Sequence, residues 1–223
     1  MYNYNFIKKS VVSCQFYATH KCVHTQTKSK NIFSSKNCTR YYMHYVQHIT
    51  HDFIYKKNIK NLLNIPKIEK IVLNMTDKNI VNDKKNIMPL ISSLEIVSGQ
   101  KLKYTSAHKS ISTFKIRKKQ IIGCKLDLRK KQMFTFLEKL ITIILPRERN
   151  FTGINKSCLD SYGHLNVGLP TILNFPELKN YFEYFSTVKG VDITVVTKCK
   201  KTSNNKFIFN TLCIFSGLQI PIK

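Results

Sequence analysis

SGQKLKYTSAHKSISTFKIRKKQIIGCKLDLR, residues Ser98–Arg129, carries Lys101, Lys103, Lys109, Lys115, Arg117, Lys118, Lys119, Lys125 and Arg129, with His108 among them and Asp127 as its single acid. From Ile111 to Arg117 the residues alternate: Thr113, Lys115 and Arg117 fall on one side and Ser112, Phe114 and Ile116 on the other, which is strand periodicity. After a polar corner at Lys118–Gln120 the alternation resumes, with Gly123, Lys125, Asp127 and Arg129 opposite Cys124, Leu126 and Leu128. The expectation is a hairpin with one apolar and one basic face. Alternation alone describes any solvated antiparallel sheet. A face selected for solubility mixes both signs, however, and this one is nearly all positive, as the neutralisation of phosphates requires.

The whole chain has the same bias. Its 223 residues include 37 Lys and Arg against 12 Asp and Glu, a formal charge of +25. That imbalance favours a polyanionic partner, nucleic acid before an anionic membrane. No apolar run approaches the roughly 20 residues needed to cross a bilayer, so no membrane partner is expected. The seven cysteines include no C-x-x-C pair and read as reduced thiols. Clustered carboxylates, a phosphate-gripping glycine loop and an activated nucleophile are all lacking, so no catalytic residue, metal or cofactor is expected. Asp127 reads as an ion-pair partner for Lys125 or Arg129 rather than a catalytic acid. Cys124, by its inward parity, reads as a core thiol rather than a reactive one.

Residues 1–40 read as a basic N-terminal extension. Asp52 is the first acid of the chain, and the preceding residues are rich in Lys, Ser, Thr, Asn and His. That composition suits an organellar targeting segment or a basic tail lying on RNA. Cys14, His20, Cys22, His24 and Cys38 match no closed structural zinc spacing. Tyr42, Val46, Ile49 and Phe53 recur every three to four positions, predicting an amphipathic helix over 41–55. IPKIEKIVLNM, from Ile65, reads as a strand with Pro66 at its start and Ile68, Ile71, Val72 and Leu73 as its apolar residues. A helix capped at Asn86 takes Pro89 in its first turn, buries Leu90, Ile91, Leu94 and Val97, and stops at Gly99. Residues 131–145 form a mostly buried helix closed by Pro146, and residues 147–171 a loop too long to be a simple connector. Residues 189–200 are a β-branched strand and 204–213 a final short helix. These elements make an α+β sandwich: a largely antiparallel sheet with helices packed on one face and the other face open for a ligand.

IPKIEKIVLNM, SGQK, AHKSISTFKIRKKQIIGCKLDLR, FLEKLITIILPRERNF, FPEL, KGVDITVVTK and FSGLQIPIK, in order between Tyr41 and Lys223, resemble the bacterial-type large-subunit ribosomal protein five, the family that carries 5S rRNA. The resemblance implies one RRM-like, ferredoxin-like domain over 41–223, in the central protuberance of the large ribosomal subunit. Its implied partners are 5S rRNA, large-subunit rRNA, the elbow of the P-site tRNA, a small-subunit ribosomal protein across an intersubunit bridge, and neighbouring central-protuberance proteins. It implies rRNA contacts at Asn74 and Gln100 and a basic rRNA-binding face of Lys101, Lys103, Lys115, Arg117, Lys125 and Arg129. It also implies a tRNA-facing loop tip at His108, Lys109 and Ser110, and a bridge loop over 147–165. Some positions depart from the pattern: Thr76 stands for the glycine after LNM, His108 for arginine, Ser112 and Thr113 for two smaller residues, and Asp127 for threonine. A carboxylate at that last position repels phosphate. The basic extension and the Asn, Lys and Ile richness imply an organellar version, mitochondrial, with a plastid ribosome as the alternative. An organellar RNA-processing enzyme with a basic sheet is the rival from another class, and it demands a carboxylate pair or a metal near the hairpin.

Overall fold

A computed structural model of the chain describes residues 39–59, 61, 64–149, 151–198 and 204–223, with the side chains described from 208 onward in the last segment. All but the last residues of the basic extension, including the would-be zinc ligands Cys14, His20, Cys22, His24 and Cys38, lie outside the described residues.

Helix α1 covers residues 40–57, α-helical at Arg40–His44 and Thr50–Lys57 about a π-helical Tyr45–Ile49. Thr39 caps it, its Oγ1 accepting from the Tyr42 N–H at 3.4 Å. Asn58 ends it in the left-handed conformation, at φ 48°. Of the stripe expected from the sequence, Ile49 and Phe53 are buried and Tyr42 and Val46 half-buried, and Tyr41, outside that stripe, is buried with them. Burial pushes the Tyr45 phenol up to about 12, and its hydroxyl donates to the Pro66 carbonyl at 3.0 Å.

Strand β1 (Lys67–Thr76) resolves an oddity of its sequence, in which Ile68 and Ile71 are three apart and yet both buried. The register shifts between Ile68 and Lys70, a bulge that returns both to the core side. From there Ile71, Leu73 and Met75 point inward, at most 1% exposed. Lys70, Val72 and Asn74 point outward and are half-buried. A short α2 (Asn79–Asn82) and a 3-10 turn (Lys84–Asn86) lead into α3 (Ile87–Ser98). Asn86 occupies the cap position without a side-chain hydrogen bond. Gly99, at φ 64°, closes the helix with its N–H on the Glu95 carbonyl at 2.8 Å.

The hairpin differs from the sequence expectation. Its first strand, β2, is Lys103–Ser106, and its second, β3, is Ile121–Leu128. Residues 111–117, expected as a strand, lie in the loop between them. There Ile111 and Ile116 exchange backbone hydrogen bonds at 2.9 and 3.1 Å around a turn at Ser112–Lys115, making a minute hairpin of their own. Positive φ at Lys115 (55°) and Lys119 (66°) breaks any continuous strand.

Helix α4 covers residues 130–147, with a π-helical Leu140–Ile144 between Lys130–Lys139 and Leu145–Arg147. Pro146 lies inside its last turn rather than beyond its end. Without an N–H to return, it coincides with a widened turn in which Leu145 reaches back to the Leu140 carbonyl. The loop that follows is shorter than expected, because Leu165–Leu169 forms β4. Two 3-10 turns (Ile172–Asn174, Pro176–Tyr181), α5 (Phe182–Phe185), β5 (Val191–Lys198) and α6 (Asn204–Gly217) complete the chain.

The five strands form one sheet in the order β2-β3-β1-β5-β4. Every neighbouring pair is antiparallel. Without the edge strand β4, the order and the βαββαβ succession are ferredoxin-like. One contiguous core joins the inward residues Ile71, Leu73, Cys124, Leu126, Leu128, Ile193 and Val195 to Leu90, Leu94 and Val97 of α3 and to Met133, Phe134, Leu137 and Ile144 of α4. Among the described residues, the helices therefore cover one face and leave the other open.

Candidate nucleic-acid interface

Strand parity decides what the open face shows. On β3, Cys124, Leu126 and Leu128 are buried while Lys125 and Asp127 are exposed. Register then aligns a row across the sheet: Lys103 pairs with Lys125, Lys125 with Asn74, Asn74 with Asp192, and Asp192 with Gly168. Lysines directly opposite each other repel, so an anion placed above the Lys103–Lys125 pair would stabilise it. The face is graded: basic over β2 and β3, polar at β1, and acidic at Asp192 on β5.

Of the residues marked from sequence, Asn74, Lys103 and Lys125 are brought together in this row. Gln100 sits beside the far end of β3, its Nε2 donating to the Asp127 carbonyl at 3.4 Å. Lys101, next to it, is exposed. Arg129 approaches Glu69 only to 4.0 Å, with both side chains well exposed. Water and salt screen such a pair almost entirely, which leaves the guanidinium available. Lys115 and Arg117 are not on the sheet face. They belong to the 107–120 loop, with His108, Lys109, Ser110, Lys118 and Lys119, all exposed.

That loop is built rather than slack. Ala107 N–H donates to the Gln120 carbonyl and Lys119 N–H to the Ala107 carbonyl, both at 2.9 Å, which closes its base. The Arg117 N–H donates to the Gln120 Oε1 at 3.0 Å. Among the described residues, none of its cations, nor Lys101, Lys103 or Lys125, forms an ion pair. Their charge faces solvent uncompensated, as expected where the counter-charge comes from a partner.

Asp127 is ion-paired, but not with Lys125 or Arg129. Lys70, one strand away, donates to its Oδ2 at 2.8 Å. This hydrogen bond, helped by the nearby charges of Lys70, Arg129 and Lys125, holds the carboxyl below the usual range. Lys70 was not singled out from sequence, although its parity with Asn74 across Val72 places it on the same face. Cys124 is the inward thiol expected: it is fully buried, and burial, with a smaller contribution from Glu95, pushes it up to about 12. Among the described residues, no group of His, Cys, Asp and Glu stands close enough to hold a metal ion. None of the described helices is long and apolar enough to cross a membrane.

The loop expected to face another protein is tied down at several points, among them Gly163, whose carbonyl accepts from Thr197 Oγ1 at 3.0 Å. Ile154 N–H donates to the Pro221 carbonyl at 2.8 Å, and Lys223 N–H to the Ile154 carbonyl at 2.9 Å. Beyond it, Leu159 bridges to Leu165. Gly163 N–H donates to the Asp160 carbonyl at 2.8 Å, so that Tyr162 is presented at an exposed tip.

These features define a class, an RRM-like α+β domain with an open sheet face and an adjoining basic loop. Residues 61–117 match the family described as ribosomal protein L5, and residues 121–221 match the C-terminus of the same ribosomal protein family. The large ribosomal subunit protein uL5m of Reclinomonas americana is 41% identical over 181 residues, which cover 80% of this chain and 95% of that protein. The chain belongs to the ribosomal protein L5 family.

Proposed function

We propose that this chain binds 5S rRNA in the central protuberance of the large ribosomal subunit, through its open sheet face and the 107–120 loop. It is a structural, non-enzymatic protein of the large ribosomal subunit, and its ribosome is mitochondrial. The RNA-processing enzyme weighed from the sequence is set aside by family membership.

The observation that carries the proposal is the row Lys103, Lys125 and Asn74 on an uncovered sheet face. The two ammonium groups neutralise phosphates. Asn74 and Gln100 supply fixed hydrogen bonds, and the shape of the folded RNA does the selecting. Lys101 and Arg129 extend the basic rim of that face toward large-subunit rRNA. The loop carries His108, Lys109 and Ser110 outward to the elbow of the P-site tRNA. The tip around Tyr162, within residues 147–165, faces a small-subunit protein as an intersubunit bridge, and the helical layer is left for neighbouring central-protuberance proteins.

The test is RNA binding by the full chain as a function of salt. The double variant Lys115→Ala, Arg117→Ala removes two cations of the loop, and log Kd should lose roughly 1.4 to 1.8 of its slope against log salt, two contacts at about 0.7 to 0.9 each. Both side chains are exposed, so Tm should barely move. An unchanged slope would remove the loop from the RNA interface.

A further inference from the structure

Two features of the open face are poorly suited to phosphate. Asp127 stands on it as a fixed, ionised carboxylate, with Oδ2 taken by Lys70 at 2.8 Å. Among the described residues, no donor reaches its Oδ1. Beside it Val72, apolar and half-buried, pairs with Asp127 on one side and Thr194 on the other. The Lys70–Asp127 pair is neutral overall and attracts no phosphate, and Val72 offers one neither charge nor hydrogen bond.

An apolar floor next to an open acceptor and an adjacent donor suits a different part of RNA. We infer that Val72, Asp127 and Lys70 form a subsite for one unpaired nucleobase, its ring lying on Val72 and its hydrogen-bonding edge meeting the Asp127–Lys70 pair. A base amino or imino N–H donates to Asp127 Oδ1, and Lys70 Nζ donates to the acceptor that neighbours it on every base edge. The Gln100 side-chain amide donates to the Asp127 backbone carbonyl at 3.4 Å, next to the carboxylate's own strand position. The inference rests on the reading that RNA lies on this face, and it assigns Asp127 to recognition rather than to repulsion.

The sign of one variant decides it. Asp127→Val keeps a strand-forming residue and removes a negative charge from a phosphate-binding face, so electrostatics alone tightens RNA binding. The subsite instead requires weaker binding, by roughly tenfold, the worth of a hydrogen bond to a charged group. The probe is an in vitro transcript of the mitochondrial 5S rRNA with the full chain. The salt slope should stay as in the wild type, and in chemical footprinting of Watson–Crick edges one base protected by the wild type should become reactive. Tighter or unchanged binding with the same protected bases overturns the inference. A parallel Lys103→Ala, Lys125→Ala variant tests the underlying reading: a lowered slope there, with tight binding by Asp127→Val, removes only the base subsite. An unchanged slope there removes the RNA face and the subsite with it.

Discussion

Replacing Lys103, Lys125, Lys115 and Arg117 together by alanine is expected to weaken 5S rRNA binding several-hundredfold at physiological salt. At roughly 0.15 M, a slope of about 0.7 to 0.9 per neutralised phosphate makes each contact worth roughly four- to fivefold, and four independent contacts multiply. The loss should shrink steeply as salt rises, because what is lost is counterion release rather than shape. Stability should change little, since all four side chains are exposed and unpaired among the described residues. Fluorescence anisotropy at three salt concentrations measures the effect, with thermal unfolding as the control. A loss that stays constant with salt would point to misfolding instead.

Gly123→Ala should have the opposite profile, damaging fold and binding together. A Cβ there would lie 2.3 Å from the Met75 carbonyl oxygen and 2.7 Å from Thr76 Cγ2. The nearer of these is backbone and has nowhere to go, so β3 must move away from β1. Overpacking of this kind costs about 3 kcal/mol, a fall in Tm of roughly 10 °C for a domain of this size. Separating the strands also breaks the pairing of Asn74 with Lys125, so RNA affinity should fall even at temperatures where the variant is folded. Gly99→Ala is the useful comparison: its site has nothing within 4 Å of the added carbon, and only the φ of +64° resists it. It should cost about 1 kcal/mol and leave RNA binding intact.

Most of the scaffold was legible because burial imposes a period. The stripe of α1, the inward residues of α3 and α4 and the β-branched run of β5 each repeat in register with their element. What was not legible was bent by tertiary geometry. Residues 111–117 alternate as a strand does, but two lysines with positive φ, Lys115 and Lys119, fold them into a loop. Nothing in a lysine announces that conformation. The true partner, Lys103–Ser106, is short and mostly exposed, so its alternation carries no hydrophobic signal. Strand β4 was hidden by Gly168, which reads as a loop residue and here lies opposite Asp192. The basic character of the site survived the misplacement of its strand, since no acid occurs between Glu95 and Asp127 whatever the backbone does. Its division into a sheet row and a separate loop did not. Lys70 escaped notice because its role depends on a cross-strand neighbour, Asp127, that lies 57 positions away.

We propose that the open sheet face, and not the helical layer, meets rRNA. Site-specific photocrosslinking from the intact mitochondrial ribosome tests it most directly. A photoreactive residue goes in place of Asn74, at the middle of the row, or in place of Tyr184, which is 74% exposed on α5 beside α3. An rRNA crosslink is expected from position 74 and none from position 184; rRNA captured at 184, with only protein captured at 74, would show that the helical layer is the RNA face instead.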